Sequence, residues 1–506
     1  MSLRTDIEPI QTPPFERILV ANRGEIAIRV MRACRELGIS PVAVYSDADA
    51  GALHVRRADR AERIGPAAPA QSYLSIDSIL DAARRSDAQA IHPGYGFLSE
   101  NPDFARAVED AGLVFIGPPA ATLEMLGNKL AARRSAEGAG VPTVPGTMVA
   151  VGGDGPELSG LGFPIMLKAA AGGGGRGMRR VESADEVGEA LAAARREALS
   201  AFGDETVYAE RVVAPARHVE VQLLGDRHGA LAVLGERDCS VQRRHQKLVE
   251  ESPSPAVDEA TRARLFESAR RVAGAVEFHN AATVEFLLDE GGSHFFLEMN
   301  TRLQVEHGVT ELVTGVDMVA WQIRVAAGER LPAAVLDGGR SGHAIEVRLY
   351  AEDPYAGFAP SVGRVTAWQM PDGPGVRVDA GVEADTDLPS EYDPLLAKVL
   401  VHAADRSSAI ARLRRALDET LIGGVQTDAG FHRWLVDHPG FAAGRYDTSF
   451  VESEWGHGPP IGREERAQAA TAAIEARRAD TTRPPPSPDG AGSAWGRLAR
   501  EEALRR

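Results

Sequence analysis

The sequence predicts a multi-domain chain that combines an α/β unit with mixed α+β units. Three observations support this prediction: a length of 506 residues with 44% hydrophobic side chains, an N-terminal strand–helix–strand pattern, and later strand-like segments around a glycine-rich loop and a hairpin. A chain of this length exceeds the usual domain size and implies about three packed units.

The N-terminal unit begins with two short apolar runs, "RILVA" and "SPVAVYS", with a helical pattern between them. Ile26, Val30 and Ala33 recur at helical spacing, and Gly38 follows the pattern as a helix terminator. Such a βαβ unit predicts a parallel sheet. Because the turn "ANRGE" has a single glycine, a dinucleotide site is disfavoured here. Further strand and turn signals extend this α/β unit to about residue 127.

The composition excludes several classes of partner. The chain has 56 basic and 72 acidic residues and a net charge of −16, which predicts no nucleic acid partner and no attraction to an anionic membrane. Two cysteines, Cys34 and Cys239, are too few for a disulfide framework and favour a cytoplasmic location. No stretch approaches about 18 uninterrupted apolar residues, and the polar start of the chain does not resemble a signal peptide.

The glycine-rich stretch "KAAAGGGGRGM", Lys168 to Met178, lies between the strand-like segments "FPIMLKAA" and "GMRRV". A dinucleotide fingerprint opens into a helix, and a P-loop places its lysine after the glycines, so neither fits. We therefore predict a hairpin tip, a lid whose backbone N–H groups close over phosphates with Lys168 at its base. This stretch alone leaves open a surface hairpin without a ligand. The following helix is predicted to begin at Ser183, with a capping box formed by Ser183 and Glu186.

The stretch "TVEFLLDEGGSHFFLEMN" predicts a hairpin with Gly291-Gly292 as a two-residue turn. This register places Glu285 opposite Glu298. Two opposed carboxylates repel each other, and a divalent cation between them removes that cost. Oxygen ligands in this number suit Mg²⁺ that also carries a nucleotide's phosphates. Asn300 lies on the same face and is predicted to supply a third oxygen.

The segment after Asn300 keeps polar side chains at every second position, namely Arg302, Gln304 and Glu306. A fully extended chain would place Glu306 roughly 26 Å from Glu298 at about 3.3 Å per residue, too far for one reaction centre. We therefore predict a bend soon after Arg302. The bend would bring together a guanidinium for a small planar anion, an amide and a carboxylate able to act as a base.

A second basic segment, "VQRRHQK", contains Arg243, Arg244, His245 and Lys247 within an acidic protein. A solvated charge run is the usual interpretation of such a segment. Beside a phosphate lid and a carboxylate metal site, anion binding becomes the better interpretation. His218 in "ARHVEVQ" lies on a predicted strand and is assigned to the site because of these neighbours.

These motifs resemble the biotin carboxylase family, ATP-grasp enzymes that form the carboxylating component of acetyl-, propionyl- and other acyl-CoA carboxylases. The resemblance runs from about Arg17 to Glu454 through "ANRGEIAIR", "HPGYGFLSEN", "KAAAGGGGRGM", "RHVEVQ", "ERDCSVQRRHQK", "EMNTRLQVEH", "AEDP" and "YDPLLAK". It implies an N-terminal Rossmann-like (pre-ATP-grasp) domain over 14–127, an ATP-grasp domain over 128–335 with a glycine-rich lid at about 145–208, and a C-terminal biotin carboxylase domain over 336–455. Residues 456–506 then form a helix, a Pro-rich linker and a tail.

The resemblance also implies a complete set of site residues. The implied ATP-binding residues are Lys129, Lys168, Gly174, Gly175, Glu210, Arg211, Val212, Val213, His218, His245, Glu285 and Glu298. The implied ligands of Mg²⁺ or Mn²⁺ are Glu285, Glu298 and Asn300, and those of hydrogencarbonate are Lys247, Arg302, Gln304 and Val305. Glu306 would deprotonate bicarbonate and Arg348 would stabilise the enolate of biotin, so the implied catalytic residues are Lys247, Arg302, Glu306 and Arg348. The implied reaction is ATP-dependent carboxylation of biotin through carboxyphosphate.

Two positions depart from the family pattern. Gly308 stands where members often have proline, which is expected to loosen the turn after Glu306, and Arg211 stands where lysine is frequent. The biotin attachment motif of the family, Ala-Met-Lys-Met, does not occur, so we expect biotin on a separate carrier protein and a separate carboxyltransferase. The resemblance also implies a homodimer, and Arg32 and Glu36 are expected to be exposed.

Two alternative functions compete with this interpretation. Another carboxyphosphate-forming ATP-grasp ligase, such as the related carbamoyl-phosphate synthetase, is the second enzyme interpretation, and Glu306 with Arg348 and "QRRHQK" favours biotin over it. A non-catalytic nucleotide-binding subunit predicts loss of Arg302 or Glu306, and both are present. The tail from about Gly456 is hypothesised to dock the carrier protein or the carboxyltransferase, with a remnant of a fusion junction as an equal alternative.

Overall fold

The structure is a computed structural model that describes residues 13–149, 156–169, 178–203, 205–456 and 458. The described residues belong to one compact unit that ends at Gly458. Gly174 and Gly175 of the predicted lid lie outside the described residues, as does the predicted tail from residue 459 onward. None of the helices in the described part of the chain has the length and apolar character that a membrane crossing requires.

The N-terminal part of the chain forms a parallel α/β unit. Its elements are β1 (Arg17–Val20), α1 (Gly24–Glu36), β2 (Ser40–Ser46), α2 (Leu53–Arg57), β3 (Arg60–Gly65), α3 (Ile76–Ser86), β4 (Ala90–His92), α4 (Pro102–Asp110), β5 (Val114–Phe115) and α5 (Ala120–Gly127). All five strands pair in parallel in the order β3-β2-β1-β4-β5, which confirms the predicted sheet. Ile26, Val30 and Ala33 of α1 are buried. Gly38 adopts a φ of +73°, a left-handed conformation that glycine accepts without strain after a helix.

A small antiparallel sheet follows and carries the strands that flank the glycine loop. The elements here are α6 (Lys129–Gly138), β6 (Gly146–Val149), β7 (Ile165–Ala169), β8 (Met178–Val181), α7 (Val187–Phe202) and β9 (Val207–Arg211). The strand order is β6-β9-β7-β8, and Lys168 pairs with Met178 across β7 and β8. The loop therefore connects two adjacent antiparallel strands, as predicted.

The predicted capping box at Ser183 is wrong. The Ser183 side chain makes no capping hydrogen bond, and a 3₁₀ turn over Ala184–Glu186 precedes α7. The Glu186 carboxylate instead accepts a hydrogen bond of 3.1 Å from the backbone N–H of Glu182. Because the 3₁₀ turn delays the α-helix, the third residue after Ser183 is not the third residue of a helix, and the reciprocal capping geometry cannot form.

The middle of the chain supplies the strands that carry most of the predicted site. The elements are β10 (Ala216–Gly225), β11 (Leu231–Arg243), β12 (Gln246–Ser252), α8 (Glu259–Gly274), β13 (Asn280–Asp289), β14 (His294–Asn300), α9 (His307–Thr314), α10 (Met318–Ala326) and α11 (Ala333–Leu336). Val219 and Val221 of β10 share a core with Leu265 and Val272 of α8. Since successive side chains of a strand point to opposite faces, the alternate residues of β10 face away from α8.

The C-terminal part of the chain extends the same sheet. The elements are β15 (His343–Tyr350), β16 (Glu352–Asp353), β17 (Ala359–Pro360), β18 (Gly363–Arg364), β19 (Ala367–Gln369), β20 (Val376–Ala380), β21 (Asp387–Leu388), β22 (Leu395–Ala403), α12 (Arg406–Glu419), β23 (Leu421–Gly423), α13 (Ala429–Asp437) and α14 (Pro439–Ala442). The large sheet has eight antiparallel strands in the order β14-β13-β10-β11-β12-β15-β22-β20, so it continues across residue 335. Val347 and Leu349 of β15 pack with Leu413 and Leu417 of α12 in a hydrophobic core. Arg348 therefore projects from the opposite face of the sheet.

Candidate active site

Buried polar side chains cover the face of the large sheet that α8 leaves free. His218, Glu220 and Gln222 alternate along β10 with valine and leucine, and all three are buried. Glu220 pairs in register with Glu285 of β13 and with Arg237 of β11. A row of buried polar groups is costly unless each finds partners, and such rows are typical of binding and catalytic sites rather than of cores.

Arg237 is the fully buried cation of this row, and the sequence analysis did not identify it as such. Its guanidinium donates to Glu220 Oε1 at 2.5 Å and to Gln222 Oε1 at 2.8 Å. It also donates to the hydroxyls of Thr283 at 3.1 Å and Thr310 at 2.8 Å. These contacts join β10, β11, β13 and α9 and hold Glu220 in one orientation beneath the site.

The hairpin of β13 and β14 places Glu285 opposite Glu298, as predicted. The predicted two-residue turn at Gly291-Gly292 is nevertheless wrong. Asp289 and Ser293 close the turn, because the Asp289 N–H donates to the Ser293 carbonyl at 2.9 Å, which leaves three residues between them. A bulge near Leu297 then restores the predicted pairing, since Phe286 pairs with Phe296 while Glu285 pairs with Glu298.

The side chain of Asn300 lies between the two opposed carboxylates. Its amide nitrogen is 2.9 Å from Glu285 Oε1 and 3.3 Å from Glu298 Oε1. Rotation of the amide by half a turn exchanges its nitrogen and oxygen, which would aim a third oxygen at the same point. Two carboxylates and one amide oxygen form a donor set that fits Mg²⁺ or Mn²⁺.

Glu285 is ionised in spite of its burial. Burial alone raises the pKa of a carboxyl group, but the charges of Lys247 and His218 outweigh it and hold the pKa of Glu285 below its usual range. His218 Nε2 lies 2.8 Å from Glu285 Oε2. The ligand atoms of His218, Glu220 and Glu285 all lie within 4.8 Å of one another, so an imidazole and a second buried carboxylate adjoin Glu285.

Glu306 is the N-cap residue of α9, and each of its carboxylate oxygens accepts from one cation. Lys247 Nζ donates to Oε1 at 2.6 Å, and Arg348 Nη2 donates to Oε2 at 2.9 Å. Burial alone would raise the pKa of Glu306, but Lys247, Arg348 and Arg237 outweigh it and hold the pKa well below the usual range. The strand ends at Asn300, and the chain bends at Arg302 and turns at Val305 and Glu306, close to the predicted position, which brings Glu306 into the site.

Lys247 connects three carboxylates. Its ammonium group donates to Glu220 at 2.6 Å, Glu285 at 3.1 Å and Glu306 at 2.6 Å. Burial lowers the pKa of a lysine, but Glu220, Glu285 and Glu306 together raise the pKa of Lys247 well above its usual value. One compact ammonium thus links the proposed metal site to the proposed base, which a planar guanidinium would do less well.

Arg302 and Gln304 also meet at the site. Arg302 Nη1 donates to Gln304 Oε1 at 2.8 Å, and Gln304 Nε2 donates to Glu285 Oε1 at 3.2 Å. Glu100, which lies in "HPGYGFLSEN" and was not assigned a role, accepts from Arg302 Nε at 2.8 Å and from the Thr301 N–H at 3.2 Å. The N-terminal unit therefore supplies the carboxylate that orients Arg302.

The second hydrogen-bond partner of Arg348 was also missed. Arg348 Nε donates to Glu250 Oε1 at 2.6 Å, so its guanidinium bridges Glu250 on β12 and Glu306. Val305 contributes its backbone, and its carbonyl accepts from Lys398 Nζ at 2.6 Å. Glu250 follows the motif that contains Lys247, and Lys398 is the last residue of the motif "YDPLLAK". No signal in the sequence pairs Glu250 with Arg348 or Lys398 with Val305.

The predicted ATP-binding residues occupy several elements around this cluster. Lys168 at the end of β7 donates to Glu210 of β9 at 2.5 Å, and Arg133 of α6 contacts the other Glu210 oxygen at 2.8 Å. Lys129 begins α6, and burial and the nearby Lys168 lower its pKa. The remaining described members are Arg211, exposed at the end of β9, Val212 and Val213 directly after it, and His245 in the β11–β12 turn.

Family models match three consecutive parts of the chain. Residues 14–123 match the N-terminal domain of biotin carboxylase, residues 128–334 match the ATP binding domain of the carbamoyl-phosphate synthase L chain, and residues 346–453 match the biotin carboxylase C-terminal domain. The chain belongs to the biotin carboxylase family. Its ATP-binding part is shared with carbamoyl-phosphate synthases, whereas both flanking parts match biotin carboxylase models. The chain is thus an ATP-dependent ligase with the predicted α/β and α+β architecture.

Individual biotin carboxylases align with most of the chain. The biotin carboxylase of Nostoc sp. is 49% identical over 441 residues, which cover 87% of this chain and 99% of that protein. The biotin carboxylase of Halalkalibacterium halodurans is 48% identical over 441 residues, which cover 86% of this chain and 97% of that protein. Among solved structures, the biotin carboxylase domain dimer of Hydrogenobacter thermophilus 2-oxoglutarate carboxylase, in complex with MgADP, ADP and bicarbonate, superposes with a TM-score of 0.86. It is 42% identical, and the match covers 88% of this chain and 99% of that one.

Proposed function

We propose that the protein carboxylates biotin with bicarbonate at the expense of ATP, and that the biotin arrives on a separate carrier protein. The single observation that carries this proposal is the position of Glu306. Its carboxylate lies between Lys247 and Arg348, and Lys247 also reaches Glu285 of the opposed carboxylate pair. A base, a metal site and a guanidinium for a second substrate are thereby joined in one buried cluster.

The nucleotide side of the reaction falls to the carboxylates and lysines. Glu285, Glu298 and Asn300 would hold Mg²⁺ or Mn²⁺, which offsets the charge of the transferring phosphoryl group. Lys129 and Lys168 lie on elements beside this pair and would bind phosphate oxygens. Lys168 is paired with Glu210. A phosphate oxygen would therefore compete with the Glu210 carboxylate for the Lys168 ammonium group. Glu210 would keep its ion pair with Arg133.

Bicarbonate is proposed to bind among Arg302, Gln304, Lys247 and the Val305 backbone. Arg302 is oriented by Glu100, so its fork is fixed before the anion arrives. A bicarbonate oxygen attacks the γ-phosphorus, the bond to ADP breaks, and the bicarbonate proton passes to Glu306. Since two cations suppress the basicity of Glu306, bicarbonate is expected to share Lys247 with Glu306 and so free Oε1 to accept the proton.

Arg348 is proposed to act in the second half of the reaction. Carboxyphosphate releases CO₂ and phosphate, the phosphate takes the proton from the ureido nitrogen of biotin, and that nitrogen attacks CO₂. The negative charge that develops on the ureido oxygen needs a fixed donor nearby, and Arg348 is a buried guanidinium beside Glu306. Glu250 also accepts from the Arg348 guanidinium and helps to hold it at the site.

The partners follow from this chemistry. A carrier protein would bring biotin to the site and a carboxyltransferase would consume carboxybiotin, with an acyl-CoA as the proposed final acceptor. We place the protein in the cytoplasm because its two cysteines are free, buried thiols that need no oxidising compartment. A homodimer is supported by the dimeric Hydrogenobacter domain. The Arg32 side chain on α1 is half exposed, which is consistent with a contact between protomers there.

The test is ATP hydrolysis by the purified protein with each co-substrate varied in turn. Hydrolysis that needs bicarbonate and Mg²⁺ and rises with free biotin supports the proposal. Hydrolysis that ignores biotin but rises with ammonia would assign the chain to the carbamoyl-phosphate branch of ATP-grasp ligases. Hydrolysis that ignores both bicarbonate and biotin would reject both assignments.

A further inference from the structure

Lysine is rare in this protein, and its distribution is uneven. Of the 56 basic side chains only four are lysines, at positions 129, 168, 247 and 398, and the rest are arginines. Both residues serve equally on a solvated surface, so a chain with this preference has lysine where a compact ammonium is needed or where a guanidinium does not fit. Three of the four belong to the proposed site. Lys398 has no role in that proposal.

Lys398 lies on β22 and its side chain is fully buried. It pairs in register with Arg348 on the adjacent strand β15. Directly paired residues of antiparallel strands project from the same face of the sheet, so the Lys398 and Arg348 side chains are neighbours on the face that carries the start of α9. Arg348 reaches the Glu306 carboxylate, and Lys398 Nζ donates to the Val305 carbonyl at 2.6 Å.

These two contacts hold Glu306 from both of its ends. The Val305 carbonyl belongs to the planar peptide that leads into Glu306, so fixing this oxygen fixes the plane from which the Glu306 side chain departs. Arg348 fixes the carboxylate at the other end of that side chain. Two neighbouring cations on one pair of strands therefore define both the backbone and the head group of the proposed base.

Lys398 is in turn anchored by the N-terminal unit. Its ammonium lies 3.4 Å from Glu25 Oε1, and Glu25 also accepts a hydrogen bond from the Tyr95 hydroxyl. Glu25 lies in "ANRGEIAIR", a motif without a role in the proposed chemistry, and Tyr95 lies in "HPGYGFLSEN", the motif that also contains Glu100. Burial alone would lower the pKa of Lys398, but Glu25, Glu346 and Asp379 outweigh it and raise this pKa above its usual value, while burial raises the pKa of Glu25 itself.

We propose that Lys398 is a positioning residue that orients the Val305–Glu306 peptide, and that Glu25 fixes Lys398 from the N-terminal unit. This inference rests on the proposed role of Glu306 as the base. If Lys398 only filled space, an apolar side chain of similar volume would do so without the free-energy cost of desolvating a buried charge. Its strongest hydrogen bond goes to one backbone carbonyl directly before the base, which is the geometry expected of a residue that sets the direction of Glu306.

The experiment compares Lys398→Met with the wild-type protein. Methionine keeps the length of the side chain and removes the ammonium. We expect kcat for biotin carboxylation to fall about 10- to 100-fold, because misplacing a reacting group by about an ångström has an effect of this order. The Kd for MgATP should change less than about twofold, since the contacts of Lys398 are to Val305 and Glu25 rather than to a proposed nucleotide residue. An unchanged kcat would overturn the proposal.

The Glu306→Gln background separates positioning from a general loss of structure. If Lys398 acts through Glu306, then Lys398→Met lowers the residual rate of Glu306→Gln no further. An additional loss as large as that in the wild-type background would overturn the proposal. Arg262→Met is the matched control. Arg262 and Glu236 form a buried ion pair with an N–O distance of 2.8 Å, and neither residue belongs to the proposed site. It should lower the thermal midpoint and leave kcat unchanged.

A second variant covers the case in which Lys398→Met does not fold. Glu25→Gln retains the shape of the side chain and replaces the carboxyl group that lies 3.4 Å from Lys398 Nζ. We expect a several-fold loss of kcat with an unchanged Kd for MgATP, and an unaltered kcat would overturn the proposal. Inactive wild-type protein or a fully active Glu306→Gln would instead reject the proposed function, so the two failures are distinguishable.

Discussion

Glu285 and Glu298 face each other across the hairpin of β13 and β14, and the Asn300 amide lies within hydrogen-bond distance of both carboxylates. Lys247 and His218 stabilise the charge of Glu285 from one side. Asn300 is the polar side chain that touches both carboxylates among the described residues. The two carboxylates, together with the Asn300 amide, form a ligand set suited to a divalent cation.

Replacing one of these acids is expected to raise the requirement for Mg²⁺. For Glu298→Gln we expect the Mg²⁺ concentration at half-maximal ATP hydrolysis to rise at least about tenfold, because an amide is a weaker ligand than a carboxylate. A Mg²⁺ titration of initial rates measures this. Glu290→Gln, at the exposed tip of the same hairpin, is the control and should titrate like the wild type. An unshifted Glu298→Gln curve would contradict the metal assignment.

Glu306→Gln should remove the base and retain the shape of the site. We expect kcat to fall about 10²- to 10⁴-fold, the usual contribution of a general base, with the Kd for MgATP retained. Steady-state rates and a nucleotide titration on the same preparation measure both quantities. A variant that keeps more than about a tenth of wild-type turnover would rule out Glu306 as the general base.

Gly308 shows a local fit between α9 and the sheet. A Cβ built at Gly308 would lie 2.3 Å from Leu400 Cδ2 and 3.1 Å from Glu346 Oε2. Leu400 is fully buried, so it has little room to move away. We expect Gly308→Ala to lower the thermal midpoint by a few degrees, as overpacking typically costs about 1–3 kcal/mol.

The companion substitution Leu400→Ala tests this explanation. It should lower stability alone by leaving a cavity, and it should lower the midpoint of the Gly308→Ala protein by less than it lowers that of the wild type, because the new methyl group occupies part of the vacated space. Strictly additive losses in the double variant would show that the clash is not the cause. That Gly308 loosens the turn after Glu306 stays a prediction. Leu400 fills the space that a side chain at position 308 would occupy.

His54 predicts a specific dependence of stability on pH. It is fully buried, and burial lowers its pKa to about 4, from an ordinary value near 6.5. The unfolded chain therefore binds this proton at a higher pH than the folded chain. The stability linked to His54 is complete above about pH 6.5 and is lost as the pH falls toward about 4, by about 1.4 kcal/mol per pH unit.

The variant His54→Gln should flatten this dependence. Glutamine retains an N–H donor for the Val44 carbonyl, which His54 Nε2 approaches at 3.3 Å, but it does not titrate. Thermal midpoints measured from pH 7 to pH 4.5 should fall less steeply for the variant than for the wild type. Parallel curves for the two proteins would contradict a neutral, buried His54.

The parts of the site that lie in one hairpin could be predicted from the sequence. Glu285, Glu298 and Asn300 follow from strand periodicity, and the bend before Glu306 follows from the length of an extended chain. The predicted pairing of the acids is right although the predicted turn is wrong, because a three-residue turn and a bulge near Leu297 cancel in register. Local pattern alone does not reveal two such compensating changes.

The partners that hold the site residues could not be predicted in this way. Glu100 orients Arg302 across 202 positions of sequence, and Glu250 holds Arg348 across 98. Lys398 and Val305 meet across 93 positions. Each of these contacts depends on how the parallel N-terminal sheet, the hairpin and the C-terminal strands pack together. No periodicity within a single segment contains that information.

The proposed reaction attaches carbon from bicarbonate to biotin in this site. The most direct measurement follows isotopically labelled bicarbonate into free biotin in the presence of MgATP, with ADP release counted in the same samples. We predict an acid-labile label on biotin in proportion to the ADP formed, and its loss in Glu306→Gln. ATP hydrolysis by the wild-type protein without label on biotin, or equal labelling by Glu306→Gln, would contradict this claim.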